Sequence, residues 1–253
     1  MGESVRSFER GLRVIRAFGS GQGEMTLAAV ARATDLNRAT ARRFLLTLEE
    51  LGYVQRRGDL FRLTPRVLDL GYAYISSLGL PQLALPFLET LSETVHEASS
   101  VGVLDDSDVV YVARVPAKRV MTVSIGLGSR FPAYRTSLGR AILASMAEDE
   151  VAEVWEASDR SNPTPKTVTS FDDLLEKLEE VRRRGFALVD QELELGVRSV
   201  AAPLHDSSGR TVAAINLSTH ANRTTKQELH ARYIPELLAT ARSIDDVLAS
   251  QLS

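Results

Sequence analysis

The sequence predicts an α+β protein in two parts: a small winged helix-turn-helix head and a larger body of antiparallel hairpins with flanking helices. Three observations predict it. Helix, helix, tight turn, helix and hairpin follow one another within the first 65 residues. Those residues carry eleven arginines against seven acids, a net of +4, while the remainder carries 19 basic and 26 acidic residues, a net of −7. A basic head on an acidic body assigns the two parts different work. Beyond the head, short alternating strands joined by tight turns alternate with amphipathic helices, the pattern of an antiparallel sheet with helices on its faces.

The head begins with "SFERGLRVIRAF", which sets Phe8, Leu12, Ile15 and Phe18 at helical spacing behind Ser7 as a cap. "GSGQGE" breaks that pattern. Thr26 is placed to cap a short helix, "TLAAVARAT", whose Leu27, Val30 and Ala31 form one apolar stripe. "TDL" is a tight turn and Asn37 the cap of the next helix. There Ala41, Phe44, Leu45, Leu48 and Leu51 share a face, Arg38 and Arg42 share the opposite side, and Arg43 lies near its edge. Gly52 stands where a helix-ending glycine is expected. "YVQRRGDLFRLT" reads as a hairpin with Arg56 and Arg57 at its tip. An isolated helix with three arginines is usually a solvated flank. The tight turn before this one and the hairpin after it shift the reading toward DNA, with the arginines in the two turns that meet base edges. Arg38, Thr40, Arg42 and Arg43 would face the major groove, and Thr26, Asn37, Arg56 and Arg57 the phosphates.

"PRVLDLGYAYISSL" follows, apolar nearly all round in Val67, Leu68, Leu70, Tyr72, Tyr74, Ile75 and Leu78. Such a helix is buried on more than one side. Lying between two domains, it is expected to pack against a second subunit, with Gly79 and Pro81 ending it. The division is therefore 1–64 head, 65–80 linker helix and 81–253 body. In the body a helix is expected at 83–98, a hairpin across "SSVGVLDDSDVVYVARV", and a strand in "VMTVSIGLG". "RTSLGRAILASM" reads as a helix capped by Thr136 or Ser137. Helices follow near 148–157 and 171–184, strands at 186–190, 198–204 and 211–218, and a last helix from 225 to 248.

Several classes fall away. With no cysteine there is no disulfide, thiolate nucleophile or cysteine-based zinc site. His96, His205, His220 and His230 show no metal-ligand spacing, and no metal or other cofactor is expected. Neither Walker A, G-x-S-x-G nor G-x-G-x-x-G is present; "GLGSR" lacks the third glycine, and the acids of "DQELELG" read as a solvated loop. No run of 18 apolar residues spans a membrane. The N-terminus lacks a secretory apolar stretch, and Arg6 spoils a myristoylation match. A cytoplasmic setting is expected.

"SFERGLRVIRAF", "TLAAVARATDLNRATARRFLLTLEELGYV" and "TPRVLDLGYAYISS" closely resemble the N-terminal half of IclR-family transcriptional regulators. "GSRFPAYRTSLGRAILA" and "RGFALVDQELELGVRSVAAPLHDSSGRTVAAINLS" resemble their effector-binding domain, so the likeness covers essentially the whole chain. "LGYAYISS" and "RFPAYRTSLGR" look most like the subgroup controlling aromatic-acid catabolism through the protocatechuate and β-ketoadipate pathway. The resemblance implies a winged-helix domain, a linker helix and a GAF-like effector-binding domain. It also implies a homodimer or homotetramer on palindromic double-stranded operator DNA, controlled by a small-molecule effector. Carried residue by residue, it implies a pocket of Val120, Val123, Phe131, Tyr134, Ser137, Leu138, Asp190, Ser199, Asn216 and Ser218. Singly, each strand residue reads as core packing; the polar Ser137, Asn216 and Ser218 among apolar neighbours favour a pocket. Val123, Phe131 and Leu138 offer walls, Ser137 sits at a helix start that favours an anion, and Arg135 or Arg198 would bind a carboxylate. The expected effector is a small carboxylate, aromatic or dicarboxylic. The alternatives are a small-molecule enzyme with an accessory winged-helix module, and a winged helix that binds protein in place of DNA.

Overall fold

The computed structural model describes residues 5–20, 23–71, 79–117, 125–161 and 164–250. The chain divides into two compact units, 1–77 and 78–253. No helix among the described residues is long and apolar enough to cross a membrane.

The first unit is a winged helix-turn-helix. Helix α1 (Arg6–Ala17) opens behind Val5, which offers no side-chain cap, so Ser7 lies inside the helix and does not cap it. Its buried face is also rotated from the expected one. Val14 and Phe18 enter the core, while Phe8 and Leu12 remain 68% and 43% exposed. Strand β1 (Glu24–Thr26) was absent from the sequence expectation, because three residues behind a glycine-rich break carry no period. It pairs antiparallel with β3 (Leu60–Leu63), which pairs with β2 (Val54–Arg57), giving the order β1-β3-β2. Thr26 accepts from the Ala29 amide at 3.2 Å to cap α2 (Leu27–Ala33). Asp35, at φ +53°, makes the tight turn. Asn37 accepts from the Thr40 amide at 2.8 Å to cap α3 (Arg38–Glu50), and Gly52, at φ +81°, follows its end. Val30, Ala41, Leu45, Leu48, Val54 and Phe61 close the small core. Of the expected linker helix, Tyr72, Tyr74, Ile75 and Leu78 lie outside the described residues; Leu68 and Leu70 are exposed.

The second unit is an α+β layer built on one antiparallel sheet of order β6-β5-β4-β9-β8-β7. Helix α4 (Leu80–Val95) begins earlier than expected, because Gly79 at φ +60° turns the chain and Pro81 occupies the first turn, where a proline is tolerated. Hairpin β4 (Ala98–Asp105) and β5 (Asp108–Val115) carries short β6 (Arg130–Pro132) on its edge. Helices α5 (Ser137–Leu143), α6 (Glu148–Ala157) and α7 (Phe171–Arg184) follow. Strands β7 (Ala187–Asp190), β8 (Val197–His205) and β9 (Thr211–His220) then complete the sheet, β9 pairing back onto β4. A π turn (Leu229–Tyr233) leads into α8 (Ile234–Ser250).

Two cores sandwich this sheet. Val101, Val103, Val200, Ala202, Leu204, Ile215 and Leu217 face α4 and α8. Val109, Tyr111, Ala201 and Ala214 face α5, α6 and α7. The strand "VMTVSIGLG" falls mostly outside the described residues, with Val120 and Val123 among them.

Candidate functional site

In the head, Arg38, Arg42, Arg43, Arg56 and Arg57 are all exposed. No carboxylate lies within ion-pair distance of any of them among the described residues. A groove of about 490 Å³ brings together Thr26, Arg38, Arg42, Arg56 and Asp59 with the apolar Leu27, Leu46 and Phe61. The groove exists because the α2 cap, the first two turns of α3 and the wing converge. Arg56 is fixed there by donating from Nε to the Gly58 carbonyl at 2.8 Å, its guanidinium 5.7 Å from the Phe61 ring. Arg57 and Arg43 do not line this groove. With about 100° between successive helical residues, Arg43 points most squarely away from the core, and Arg42 and Arg38 lie together on one side of it. Thr26 and Asn37 spend a side-chain acceptor on capping, as expected, and remain exposed. Thr40 is partly buried at the start of the same helix.

In the body, strand alternation sorts the expected pocket residues onto two faces. Ser199, Asn216 and Ser218 share the α5 face, where Ser199 pairs with Ser218 and Asn216 with Ala201 and Ser100. Phe131 reaches the same side, its ring edge-on to Tyr111 at 5.7 Å. Leu138 of α5 lies over Gly102, where a Cβ would come 3.0 Å from its Cδ1. Tyr134 serves the core, stacked edge-on to Trp155 at 5.0 Å.

Asp190 and Arg198 turn to the opposite face, with Leu188 and Val200, and bind each other at 2.8 Å. Burial alone would raise the Asp190 pKa, but the hydrogen bonds from Arg198 and Gln191 and the charges of Arg198 and Lys166 hold it at about 2. Arg198 also donates to the Thr224 carbonyl. Arg135 is buried and donates to the Ser161 carbonyl at 3.1 Å. Both arginines expected to bind a carboxylate thus also have partners inside the protein. Ser137 is not the cap either: Thr136 accepts from the Gly139 amide at 3.0 Å. The Ser137 hydroxyl is left buried without a partner, as is Asn216 Oδ1.

Three residues of this face were not anticipated. Ser100, Tyr111 and Arg114 stand around Asn216, and Arg114 donates from Nη1 to the Ser100 hydroxyl at 3.1 Å. Simple alternation would send Arg114 to the side away from Tyr111. A bulge between β4 and β5 at Val101/Gly102 resets the phase, so that Val112 and Ala113 both enter the α4 core and Arg114 joins Tyr111. Burial raises the Tyr111 pKa to about 12, against the pull of Arg114 and the Asn216 amide. Glu192, read as part of a solvated loop, is buried and forms a two-bond ion pair with Arg140. No cluster of acids and histidines that could hold a metal occurs among the described residues.

A winged helix-turn-helix with an arginine groove, followed in the chain by an α+β unit, is the architecture of a helix-turn-helix transcriptional regulator. The IclR helix-turn-helix domain matches residues 7–58, and the bacterial transcriptional regulator IclR C-terminal domain matches 72–246. The chain belongs to the IclR family of bacterial transcriptional regulators, and with that family it is a regulator and not an enzyme. It is 41% identical over 241 residues to the Pca regulon regulatory protein of Pseudomonas putida, covering 95% of this chain and 83% of that protein. This likeness agrees with the aromatic-catabolism subgroup expected from sequence. A transcriptional regulator from Rhodococcus sp. RHA1 is 53% identical, with a TM-score of 0.87 over 98% of this chain and 99% of that one. A double mutant of the PobR inducer-binding domain from Acinetobacter, solved with 3-hydroxybenzoic acid, is 34% identical. Its TM-score is 0.60 over 65% of this chain and 97% of that one.

Proposed function

We propose that this regulator binds palindromic operator DNA as a dimer or tetramer and is controlled by a small carboxylate from aromatic-compound catabolism. The observation that carries the DNA reading is the convergence of Arg38, Arg42 and Arg56 on one exposed groove without ion-pair partners. Solvent-facing arginines on an isolated helix need no such convergence. Arg38, Arg42 and Arg43 read base edges, where an arginine grips guanine O6 and N7 with two hydrogen bonds. Thr40 faces the major groove beside them, and Thr26, Asn37, Arg56 and Arg57 hold backbone phosphates. Residues 65–80 pair the subunits, and a two-fold dimer then sets its recognition helices about 34 Å apart or a multiple of that.

The effector occupies the α5 face of the sheet, against Phe131, Ser137, Leu138, Ser199, Asn216 and Ser218. Buried Ser137 and Asn216 support this reading, because native proteins seldom leave buried polar atoms unpaired without reason. The hydroxybenzoic acid held by the related PobR domain supports an aromatic acid. Effector binding shifts the population between two arrangements of the paired linkers, which requires that it bind them with different affinity.

Footprinting upstream of the protein's own gene and its neighbouring catabolic genes tests the DNA half. A protected two-fold symmetric site is expected; no protection at any of them returns the winged helix to protein binding. Thermal-shift screening of aromatic and dicarboxylic acids tests the effector half, and stabilisation by neutral compounds alone sinks it.

A further inference from the structure

The arginine groove of the head holds one residue of the wrong sign. Asp59 lines it beside Arg38, Arg42 and Arg56. The residue is exposed, and none of the three guanidinium groups comes within ion-pair distance of its carboxylate. Its place is set by the hairpin. Arg57 pairs with Leu60, so a two-residue loop, Gly58-Asp59, joins β2 to β3. Gly58 makes the turn at φ +61°, and its carbonyl accepts the Arg56 Nε–H at 2.8 Å. The neighbouring arginine is thus tied to the backbone beside Asp59 and not to its side chain.

An acid in a tight turn is ordinarily there for the turn, its oxygen accepting from a nearby backbone amide. Asp59 makes no such bond among the described residues. In a loop whose first residue is glycine, an uncharged second residue serves as well. What a carboxylate adds at this place is repulsion. A phosphate drawn toward Arg38, Arg42 and Arg56 also approaches Asp59. Leu27, Leu46 and Phe61 wall the same groove, so charges there are less well screened than in open water. On DNA of no particular sequence, attraction to phosphate supplies essentially all of the affinity. On an operator, base contacts add to it and hold one register.

We propose that Asp59 is a specificity-determining residue for DNA. It disfavours complexes in which a phosphate settles into the arginine groove, and so lowers affinity for random sequence more than affinity for the operator. This rests on the preceding reading that the head binds operator DNA, and adds to it a residue that acts by repulsion.

Fluorescence anisotropy of the full chain tests it, on a duplex carrying the footprinted sequence and on a scrambled duplex of the same length and composition. Asp59→Asn should tighten binding to the scrambled duplex about three- to tenfold at low salt, while operator binding changes by less than about twofold. Asp59→Ser should do the same, and Asp59→Glu should stay close to the parent. Glu50→Gln removes an equal charge from the exposed end of α3, outside the groove, and should alter neither. A rise shared equally by both duplexes, or one that Glu50→Gln reproduces, reduces Asp59 to its share of net charge and overturns the proposal. Unchanged binding by Asp59→Asn overturns it as well. Loss of operator binding with the scrambled duplex unaffected makes Asp59 a base contact, which also refutes a repulsive role. Failure of the preceding reading looks different, since the parent chain then binds neither duplex.

Discussion

Arg140 is the largest side chain fully buried in the described protein, and it is a cation. It survives there because Glu192 accepts two hydrogen bonds from it at 2.8 and 2.5 Å and the Tyr134 carbonyl accepts the Nε–H at 2.7 Å. Removing one partner strands the other, so Glu192→Ala should cost about 3–5 kcal/mol in urea unfolding. Arg140→Met combined with Glu192→Leu should recover most of that loss, since an apolar pair leaves no charge behind. Asp190 behaves differently. Its carboxyl is held at about 2, below its ordinary 3.8, so its pairing with Arg198 stabilises the fold above pH 4 and loses that effect as pH falls toward 2. Asp190→Asn should therefore melt earlier than the parent at pH 7, with the difference closing by about pH 2; a constant offset across that range would refute the assignment. In the head, Arg42→Ala should weaken operator binding by about 1–3 kcal/mol and binding to random DNA much less. Equal loss in fluorescence anisotropy on both would make Arg42 a phosphate contact.

At the scale of elements, most of the architecture is legible in the sequence because periodicity survives translation into structure. Asn37 and Thr26 cap where expected, Gly52 ends α3, and α6 and α7 run over 148–157 and 171–184 as read. Elements too short to show a period, such as β1, escape. The α5 face is legible in part, for reasons of the same kind. Ser199, Asn216 and Ser218 follow plain alternation onto one face, whereas Arg114 follows a bulge that no single-strand pattern reports. Which arginines are already committed to internal partners is likewise a long-range fact: Arg198 and Arg135 meet theirs 8 and 26 residues away. Gly139 marks another tertiary constraint. A Cβ there would sit 2.1 Å from the Ala133 carbonyl oxygen, so the turn before α5 and the helix itself touch backbone to backbone. Gly139→Ala should cost about 1–3 kcal/mol or more of stability, read as a lowered melting temperature.

At the scale of the whole molecule, charge is unevenly divided, with the basic share in the head. Operator affinity should then fall steeply with salt, by roughly one unit of log–log slope for each phosphate contact. Arg57→Ala should lower that slope by about one per head without altering sequence preference. A flat salt dependence would speak against a phosphate-dominated interface. On the proposed reading of effector control, β4 links the α5 face of the sheet directly to α4. Adjacent residues of β4 face opposite layers: Ser100 receives Arg114 on one side, and Ser99 on the other donates to the Leu88 carbonyl at 3.0 Å and meets Ser92 of α4 at 2.7 Å. Helix α4 continues directly from residue 79, at the end of the linker segment. The layer that carries Arg114 and helix α4 on the other side of the sheet are thus separated by one peptide unit of a single strand. Mechanically β4 is a shared beam, on which a push at one surface is felt at the other with no loop between to absorb it.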